Sequence, residues 1–307
     1  MTDSTWLVYG AYGYTGELIA RQAVRRGLRP TLAGRRREPL QALARELDLP
    51  FRVSALEDAD ALDRLLADTT AVLHCAGPFS RTSAPMVAAC LRNGSHYLDI
   101  TGEIAVCESI FRRHRDARDA EAVLLPGVGL DVVPTDCLAA HLESRLPTAT
   151  HLELALDTAE GSVSRGTLTT MIEGIPSGGA ERVAGELVPR PLASDQREIE
   201  FPHRRRWAMT IPWGDLSTAY RSTGIPNIRV YTSISRRRLA RLRMLAPLRP
   251  VLGMRPFKRS LQWLVRRRVT GPSPEIRDTA KTYFWGSVRD DRGETRTATL
   301  TAPEGYR

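Results

Sequence analysis

The sequence lacks any apolar run of about 18 residues, the length that a helix needs to span a membrane. Its first residues, Met-Thr-Asp-Ser-Thr, also lack the basic and apolar regions of a secretory signal. With 42% apolar and 26% charged residues, the composition is that of a globular protein. We therefore expect a cytoplasmic protein, and 307 residues favour two domains.

Cysteine is scarce, with four residues in the chain, and no pair shows the Cys-x-x-Cys spacing of a zinc or redox site. The six histidines show no ligand spacing either. These absences argue against a disulfide framework and against a zinc centre. We expect reduced, structural thiols and no metal site.

Acidic residues are missing from one long segment. Residues 216–274 contain fourteen Arg or Lys residues and no Asp or Glu, so this segment carries a formal charge of +14. The whole chain carries 44 − 35 = +9, which leaves 30 − 35 = −5 for the remainder. A mildly acidic body with one basic segment does not fit a protein whose whole surface binds nucleic acid.

The first 125 residues alternate short apolar runs with helical patterns. Strands are predicted at 5–9, 31–33, 51–54, 71–75, 96–100 and 122–125, and helices at 15–26, 38–47, 58–67, 84–92 and 105–121. Such alternation is typical of a parallel, doubly wound sheet with helices on both faces. The predicted fold class is α/β, with a Rossmann-type domain over residues 1–128.

Residues 129–307 are predicted to form a second domain. Residues 151–157 alternate apolar and polar side chains, as do many of residues 218–234, and residues 283–288 and 295–300 flank a hairpin signal. A short helix is expected around Asp136 to His141. Many strands and few helices favour an α/β domain with a largely antiparallel sheet.

A glycine motif, GAYGYTG, joins the first predicted strand to the first predicted helix. Its spacing, G-x-x-G-x-x-G, is one residue wider than the common dinucleotide-binding motif. Bare backbone at a helix N-terminus lets a diphosphate approach the free amides. The predicted contact residues are Gly10, Tyr12, Gly13, Tyr14, Thr15 and Gly16. A structural turn without a ligand is the alternative.

The residue that would discriminate between cofactors is basic. An NAD-binding domain usually places Asp or Glu about 20 residues beyond the glycines. Here Arg35 stands nineteen positions after Gly16, and the next acidic residue is Glu38. Since a guanidinium suits a 2′-phosphate, we predict NADP(H) as the cofactor, held in part by Arg35. Arg36 and Arg37 are expected to lie in a solvated turn.

Candidate catalytic residues follow two later strands. Gly77, Pro78 and Phe79 come after the fourth strand, where they are predicted to line the dinucleotide, with a plain turn as the alternative. Polar side chains crowd the end of the next strand. Tyr97, Asp99 and Glu103 are the candidate proton donors or acceptors for a hydride transfer. Alternatively, residues 101–103 cap the following helix, and Asp131 and Asp136 are equally ambiguous.

Several blocks, taken in order, resemble one family. GAYGYTG, LAGR, GPF, HYLDITGE and GLDVVPTD are similar to segments of the saccharopine dehydrogenase-like oxidoreductases, which include trans-acting enoyl reductases. The resemblance is dense over about residues 5–140 and thinner at 271–277 and at the final APEGYR. It implies an NADP-binding Rossmann domain followed by a largely antiparallel α/β domain. It also implies a further C-terminal helical segment, which this sequence ends without, so a truncated chain is expected.

The resemblance implies a reductase that acts on an unsaturated lipid or polyketide-type (enoyl) intermediate. An amino-acid dehydrogenase that acts on a saccharopine-type imine is one alternative. A non-catalytic NADP-binding protein at a membrane surface is the other.

The basic segment suggests a partner. Over residues 236–268, leucines and aromatic residues recur at helical spacing among arginines, which indicates two basic amphipathic helices separated by Pro247 and Pro250. Such helices favour an anionic membrane surface or an acyl carrier that delivers a lipid-linked substrate. A solvated lid or a homodimer contact is the alternative. Nucleic acid is not expected, because aromatic residues other than Trp263 are few there.

Overall fold

The computed structural model describes residues 5–158, 165–174, 178–245, 254–269 and 271–307. The chain divides into two compact units, Met1–Gly129 and Leu130–Arg307. This division lies one residue after the boundary that the sequence predicts.

The first unit holds a parallel sheet. Its strands are β1 (Trp6–Tyr9), β2 (Thr31–Gly34), β3 (Phe51–Val53), β4 (Ala71–His74), β5 (His96–Asp99) and β6 (Leu124–Leu125). Its helices are α1 (Tyr14–Arg25), α2 (Arg37–Leu47), α3 (Ala59–Leu66), α4 (Phe79–Asn93), α5 (Ile104–Phe111) and α6 (His114–Asp119). The strand order is β3-β2-β1-β4-β5-β6, and every pair is parallel. The Rossmann-type prediction is confirmed, and strand order reverses between β1 and β4.

Strand β1 shows why the sheet is covered on both faces. Leu7 and Tyr9 belong to one apolar cluster, whereas Val8 belongs to another with Leu32 and Leu40. Since alternate side chains of a strand point to opposite faces, both faces of the sheet are buried.

Two helices differ from their predicted ranges. Helix α4 begins at Phe79 rather than at 84, because a distant carboxylate caps its first turn, as described below. The helix expected over 105–121 is divided into α5 and α6, since the amide of Arg113 donates to Ile110 in a tighter turn.

The second unit begins with α7 (Val133–Arg145). Its strands are β7 (His151–Asp157), β8 (Gly179–Val183), β9 (Glu186–Arg190), β10 (Gln196–Phe201), β11 (Arg204–Thr210), β12 (Asn227–Ser233), β13 (Lys281–Arg289) and β14 (Thr295–Pro303). Its other helices are α8 (Arg165–Gly174), α9 (Asp215–Thr223), α10 (Arg236–Leu245), α11 (Arg255–Arg268) and α12 (Pro274–Thr279).

The second sheet is mixed and mostly antiparallel. Its order is β10-β11-β12-β7-β13-β14, and β8 pairs with β12 and β9. Strands β7 and β12 run parallel, whereas the other neighbours are antiparallel. The predicted fold class is therefore confirmed for this unit too.

One strand prediction in the second unit is wrong. The alternating residues from 218 begin in helix α9, which ends at Gly224 (φ 71°), and only Asn227–Ser233 is extended. Leu216 and Ala219, three residues apart, are both fully buried, so helical spacing decides this stretch. Likewise Asp136 lies within the first turn of α7 rather than at its start.

Candidate functional site

The glycine motif lies at the carboxyl end of β1, where strand order reverses. Gly10 has a φ of 82°, and a Cβ atom there would come within 2.9 Å of the Ala76 nitrogen. Ala76 precedes Gly77, so the glycine loop contacts the segment that leads into the predicted Gly77–Phe79 turn. The first strand exit and the fourth strand exit are thus brought together.

Gly16 is required by close packing within the loop itself. A Cβ atom on Gly16 would lie 2.4 Å from the carbonyl oxygen of Gly10, and one on Gly13 would lie 3.1 Å from the same atom. The amide of Gly13 donates a hydrogen bond of 2.9 Å to that oxygen. The first turn of α1 therefore lies against the exit of β1, with no room for side chains at its core.

The N-terminus of α1 is open. Gly13 is its N-cap residue, and no side chain in the described part of the chain caps it. The first internal helical bond is donated by Glu17 to the carbonyl of Gly13. An uncapped first turn presents the positive end of the helix dipole, and Tyr14 and Thr15 lie there partly buried. A helix N-terminus of this kind suits an anionic group, and contact of these residues with a diphosphate stays a prediction.

The N-terminus of α4 is closed by Glu103. The two carboxylate oxygens of Glu103 accept hydrogen bonds from the amides of Phe79, at 2.8 Å, and Ser80, at 3.0 Å. A carboxylate at this position offsets the helix dipole and satisfies two orphan donors. Glu103 is the N-cap residue of α5, as the alternative prediction for residues 101–103 has it, but its side chain caps the preceding helix α4. Among the described residues, no carboxylate accepts a hydrogen bond from the first amides of α1, and the acidic residue of its first turn, Glu17, pairs with Arg21.

Tyr97 and Asp99 form a buried network with the loops around them. Neither residue has exposed surface. Asp99 accepts hydrogen bonds from the Tyr97 hydroxyl at 2.7 Å, from the Thr101 amide at 3.0 Å and from the Gly127 amide at 2.9 Å. Burial raises the pKa of the Asp99 carboxyl, and burial together with the neighbouring Asp99 raises the pKa of Tyr97.

This network fixes the position of Glu103. The Thr101 hydroxyl accepts a hydrogen bond of 3.0 Å from the Glu103 amide. A continuous chain of contacts therefore runs from Asp99 through Thr101 to Glu103 and the start of α4. A proton-transfer role for Tyr97, Asp99 or Glu103 stays a prediction, but all three have evident structural partners.

His74, the last residue of β4, is a polar residue that the sequence patterns did not single out as functional. It is fully buried, and neither ring nitrogen has a hydrogen-bond partner among the described residues. Its ring centroid lies 5.4 Å from that of Tyr9, 5.6 Å from that of Phe79 and 6.0 Å from that of Tyr97. Burial lowers the pKa of His74 to about 3, so the ring is neutral at physiological pH.

Phe79 also faces inward. Its ring is 8% exposed and packs edge-on against His74, within the core cluster of the first unit. The peptide bond between Gly77 and Pro78 is cis, and Pro78 is the N-cap residue of α4. Contact of the Gly77–Phe79 turn with a dinucleotide stays a prediction.

Arg35 follows the end of β2, beside the glycine loop. The amide of Gly10 donates to the carbonyl of Ala33 at 2.8 Å, which places the two strand ends side by side. Arg35 is exposed directly beyond this point. It can therefore approach a ligand at the N-terminus of α1 from the β2 side.

Tyr12 packs against the same strand end. A Cβ atom on Gly34 would lie 2.6 Å from Cε1 of Tyr12, so a side chain at this position would displace the Tyr12 ring. The guanidinium carbon of Arg36 lies 4.9 Å from the centre of the Tyr12 ring. Arg36 is exposed, as predicted, but it also contacts the glycine loop. Gly34 is part of the LAGR motif, but the spacing of that motif does not indicate that Gly34 packs against Tyr12.

Asp131 and Asp136 lie in the second unit with a carboxylate that the sequence did not single out, Asp215. Asp215 is fully buried at the start of α9, and neither carboxylate oxygen has a hydrogen-bond partner among the described residues. The nearby Thr135 hydroxyl donates to the carbonyl of Val132. Burial raises the pKa of Asp131 to about 6; burial and the nearby Asp136 and Asp131 raise the pKa of Asp215 to about 8.

Two kinds of feature are absent from the described residues. No group of three or more His, Cys, Asp or Glu side chains in them could hold a metal ion. No helix in the same residues is long and apolar enough to cross a membrane.

Residues 6–125 match the family model of the saccharopine dehydrogenase NADP binding domain. A trans-acting enoyl reductase of Mycobacterium ulcerans (strain Agy99) is 33% identical over 147 residues, which cover 45% of this chain and 35% of the relative. A trans-acting enoyl reductase of Mycobacterium tuberculosis (strain H37Rv) is 31% identical over 200 residues, which cover 60% of this chain and 48% of the relative. The matched regions thus span less than half of each relative.

One solved structure shares the fold over nearly the whole chain. The apo form of saccharopine dehydrogenase (L-Glu forming) from Saccharomyces cerevisiae covers 99% of this chain and 87% of its own, with a TM-score of 0.62 and 13% identity. At that identity the likeness shows the fold alone. The predicted resemblance and the predicted cofactor are confirmed for the first unit: residues 6–125 match the NADP-binding domain of saccharopine dehydrogenase, and the curated relatives share this part of the chain.

Proposed function

We propose that this chain is an NADP(H)-dependent reductase that acts on an unsaturated lipid or polyketide-type (enoyl) intermediate. The observation that carries the cofactor part is the open, glycine-lined N-terminus of α1 beside Arg35. The substrate class rests on the printed names of the relatives, which are trans-acting enoyl reductases.

In the first unit, bare backbone positions and the amides at the start of α1 suit the cofactor. Gly10, Gly13 and Gly16 bring three bare backbone positions to the exit of β1, and the first turn of α1 accepts a diphosphate through its amides. The exposed guanidinium of Arg35 suits the additional phosphate of NADP(H) in charge and in geometry. When bound, NADPH supplies a hydride to the substrate.

Glu103 is the residue that holds the other side of the proposed site. Its bonds to the Phe79 and Ser80 amides keep the Gly77–Phe79 turn in one position and occupy a second place where an anion would otherwise bind. A diphosphate is thereby directed to α1. Tyr97, Asp99 and Glu103 remain the candidates for supplying a proton to the reduced substrate.

The cofactor assignment predicts the effect of changing Arg35. Arg35→Asp should weaken NADPH binding about 10- to 100-fold, because a charge-assisted hydrogen bond contributes about 1.5–3 kcal/mol and is here replaced by repulsion. NADH binding should change little. Calorimetric titration of both dinucleotides measures this difference.

The matched control for that titration is Arg115→Asp, which makes the same change of charge at an exposed position of α6. The control should bind NADPH as the wild-type chain does. Equal losses for NADPH and NADH in Arg35→Asp would contradict the 2′-phosphate role.

The substrate class is tested by following NADPH consumption at about 340 nm, a wavelength where only the reduced cofactor absorbs. Enoyl thioesters of increasing chain length form one panel, and an amino acid with an aldehyde partner forms the other. Turnover with enoyl thioesters supports the proposal. Turnover with the imine-forming pair alone, or cofactor binding without turnover on either panel, contradicts it.

A further inference from the structure

The basic segment contains two helices that use their apolar residues differently. In α10, Leu239 is 4% exposed and packs with Ala193 and Met209, with Leu242 partly buried beside them. Leu239 and Leu242 therefore belong to the core of the second unit. Arg236, Arg237, Arg238 and Arg241 of the same helix are exposed.

Helix α11 is attached through its polar side. Lys258 forms an ion pair of 3.1 Å with Glu173 of α8, and Gln262 donates a hydrogen bond of 2.9 Å to the same carboxylate. Both contacts lie one turn apart, on one side of the helix. Glu173, the acidic residue against this helix, is thus already paired within the second unit.

The opposite side of α11 leaves large apolar groups uncovered. Trp263 is 55% exposed, Phe257 48% and Leu264 39%. At helical spacing, positions 257 and 264 lie on one line, with 260 and 263 beside them. These residues and Arg259 line a shallow, open depression. We call Phe257, Arg259, Ser260, Trp263, Leu264 and Arg267 the α11 face.

Positive charge surrounds this apolar strip. Arg259, Arg267 and Arg268 are exposed, and the guanidinium carbon of Arg267 lies 4.4 Å from the centre of the Trp263 ring. The sequence has no acidic residue between Asp215 and Glu275. The α11 face therefore combines exposed aromatic and aliphatic groups with a field of one sign.

We propose that the α11 face docks on the surface of an anionic lipid bilayer. A bilayer presents a negative layer directly above an apolar phase, and this face presents cations around an apolar centre. Trp263 and Phe257 would enter the headgroup boundary, while Arg259, Arg267 and Arg268 remain among the phosphates. The exposed cations of α10 would add attraction at longer range.

Charge argues against a second copy of this face as the occupant. A two-fold contact would place the same cations against one another with no acidic partner in the segment. An acidic carrier protein would match the positive charge of the α11 face. Charge attraction to such a carrier would not by itself require the exposed apolar strip of Phe257, Trp263 and Leu264. Binding to such a carrier is therefore an outcome of the test rather than the proposal.

The test is co-sedimentation of the full chain with vesicles of phosphatidylcholine alone and of phosphatidylcholine with phosphatidylglycerol. We expect binding to the anionic vesicles only, weakening as salt rises. The double variant R267E/R268E should lower the binding constant by more than about tenfold, since each cation near an anionic leaflet contributes about fivefold. The apolar variant F257S/W263S should also lose binding.

Matched variants separate this face from general charge and hydrophobicity. R112E/R115E makes the same charge change on exposed positions of the first unit, and L28S/V123S removes exposed apolar groups there. Both should bind vesicles as the wild type does. Circular dichroism and thermal unfolding of every variant show whether the chain is folded, so loss of vesicle binding is read independently of the proposed activity.

Three results would overturn the proposal. They are failure to bind anionic vesicles at low salt, equal loss in the control variants, and binding to an acidic acyl carrier without any binding to vesicles.

Discussion

The carboxylate of Glu103 shows that a candidate catalytic residue can also have a structural role. It accepts hydrogen bonds from two amides at the start of α4, and the backbone amide of Glu103 donates to the hydroxyl of Thr101. Polar side chains at a strand end suggested a proton donor. In the structure, two amides of residues 77–80 also donate to this side chain. No local sequence pattern specifies the backbone conformation that places them there.

Variants of Glu103 distinguish the positioning role from a direct one. Glu103→Ala should lower the free energy of unfolding by about 1–2 kcal/mol, the usual effect of losing a helix cap. Glu103→Gln keeps a carbonyl acceptor, so it should lose less stability and retain turnover. Urea unfolding and NADPH-linked turnover measure the two quantities. Abolished turnover in a stable Glu103→Gln variant would instead identify Glu103 as the proton donor.

Asp215 gives a prediction about pH. Its folded pKa of about 8 lies above that of an unfolded Asp, so the folded state binds the extra proton between these two values. The stabilising effect of this proton is complete at low pH and is lost as pH rises through about 8. Asp215→Asn should remove that decline, which amounts to at most about 1.4 kcal/mol per pH unit.

Urea unfolding of the wild type and of Asp215→Asn across this pH range provides the measurement. Asp119→Asn, at an exposed position of α6, is the control and should follow the wild-type curve. If Asp215→Asn and the wild type show parallel pH dependence, the carboxyl of Asp215 is not protonated in the folded chain at neutral pH.

At the scale of elements, the start of α1 depends on a glycine contact rather than on capping. Gly16 lies where a Cβ atom would be 2.4 Å from a backbone oxygen, so the loop or the helix must shift to accept a side chain. Sequence spacing predicted all three glycines of the motif. The contact of Gly10 with Ala76, sixty-six residues away, required the parallel pairing of β1 with β4.

The replacement Gly16→Ala tests this contact. It should destabilise the chain by about 1–3 kcal/mol, as overpacking does, and should weaken NADPH binding because the first turn of α1 moves. Gly174→Ala at the end of α8 is the matched control, since nothing lies within 4 Å of the Cβ atom it would add. The control should leave NADPH affinity unchanged. Wild-type affinity in Gly16→Ala, measured by calorimetry alongside thermal unfolding, would refute the packing argument.

The two basic helices show the limit of periodicity as a guide to elements. Both have leucines at helical spacing among arginines, and the sequence predicts the same exposed role for each. In α10 the apolar side packs into the core of the second unit, whereas in α11 a polar side is attached to α8 and the apolar side is exposed. Periodicity locates an apolar stripe, but only the neighbouring elements decide what covers it.

On the scale of the whole molecule, the candidate cofactor site and the basic helices lie in different parts of the chain. The glycine loop and Arg35 lie in the unit Met1–Gly129, and the basic helices lie in the unit Leu130–Arg307. Residues outside 216–274 carry 30 − 35 = −5. The proposed cofactor contacts and the proposed membrane docking therefore involve different units, and variants of one should leave the other intact.

The amino-acid sequence by itself determined the α/β class, the Rossmann order of the first unit, the glycine motif and the basic character at Arg35. These features are local, because each depends on residue types and spacing within one strand, turn or helix. Tertiary structure alone decided that Glu103 caps α4 and that Asp99 binds Tyr97 and the Gly127 amide. It also decided that the Asp215 carboxylate is buried with no hydrogen-bond partner among the residues that the structure describes. The physical reason is that burial and hydrogen-bond partners arise from segments distant in the sequence, which meet only when the sheets are assembled.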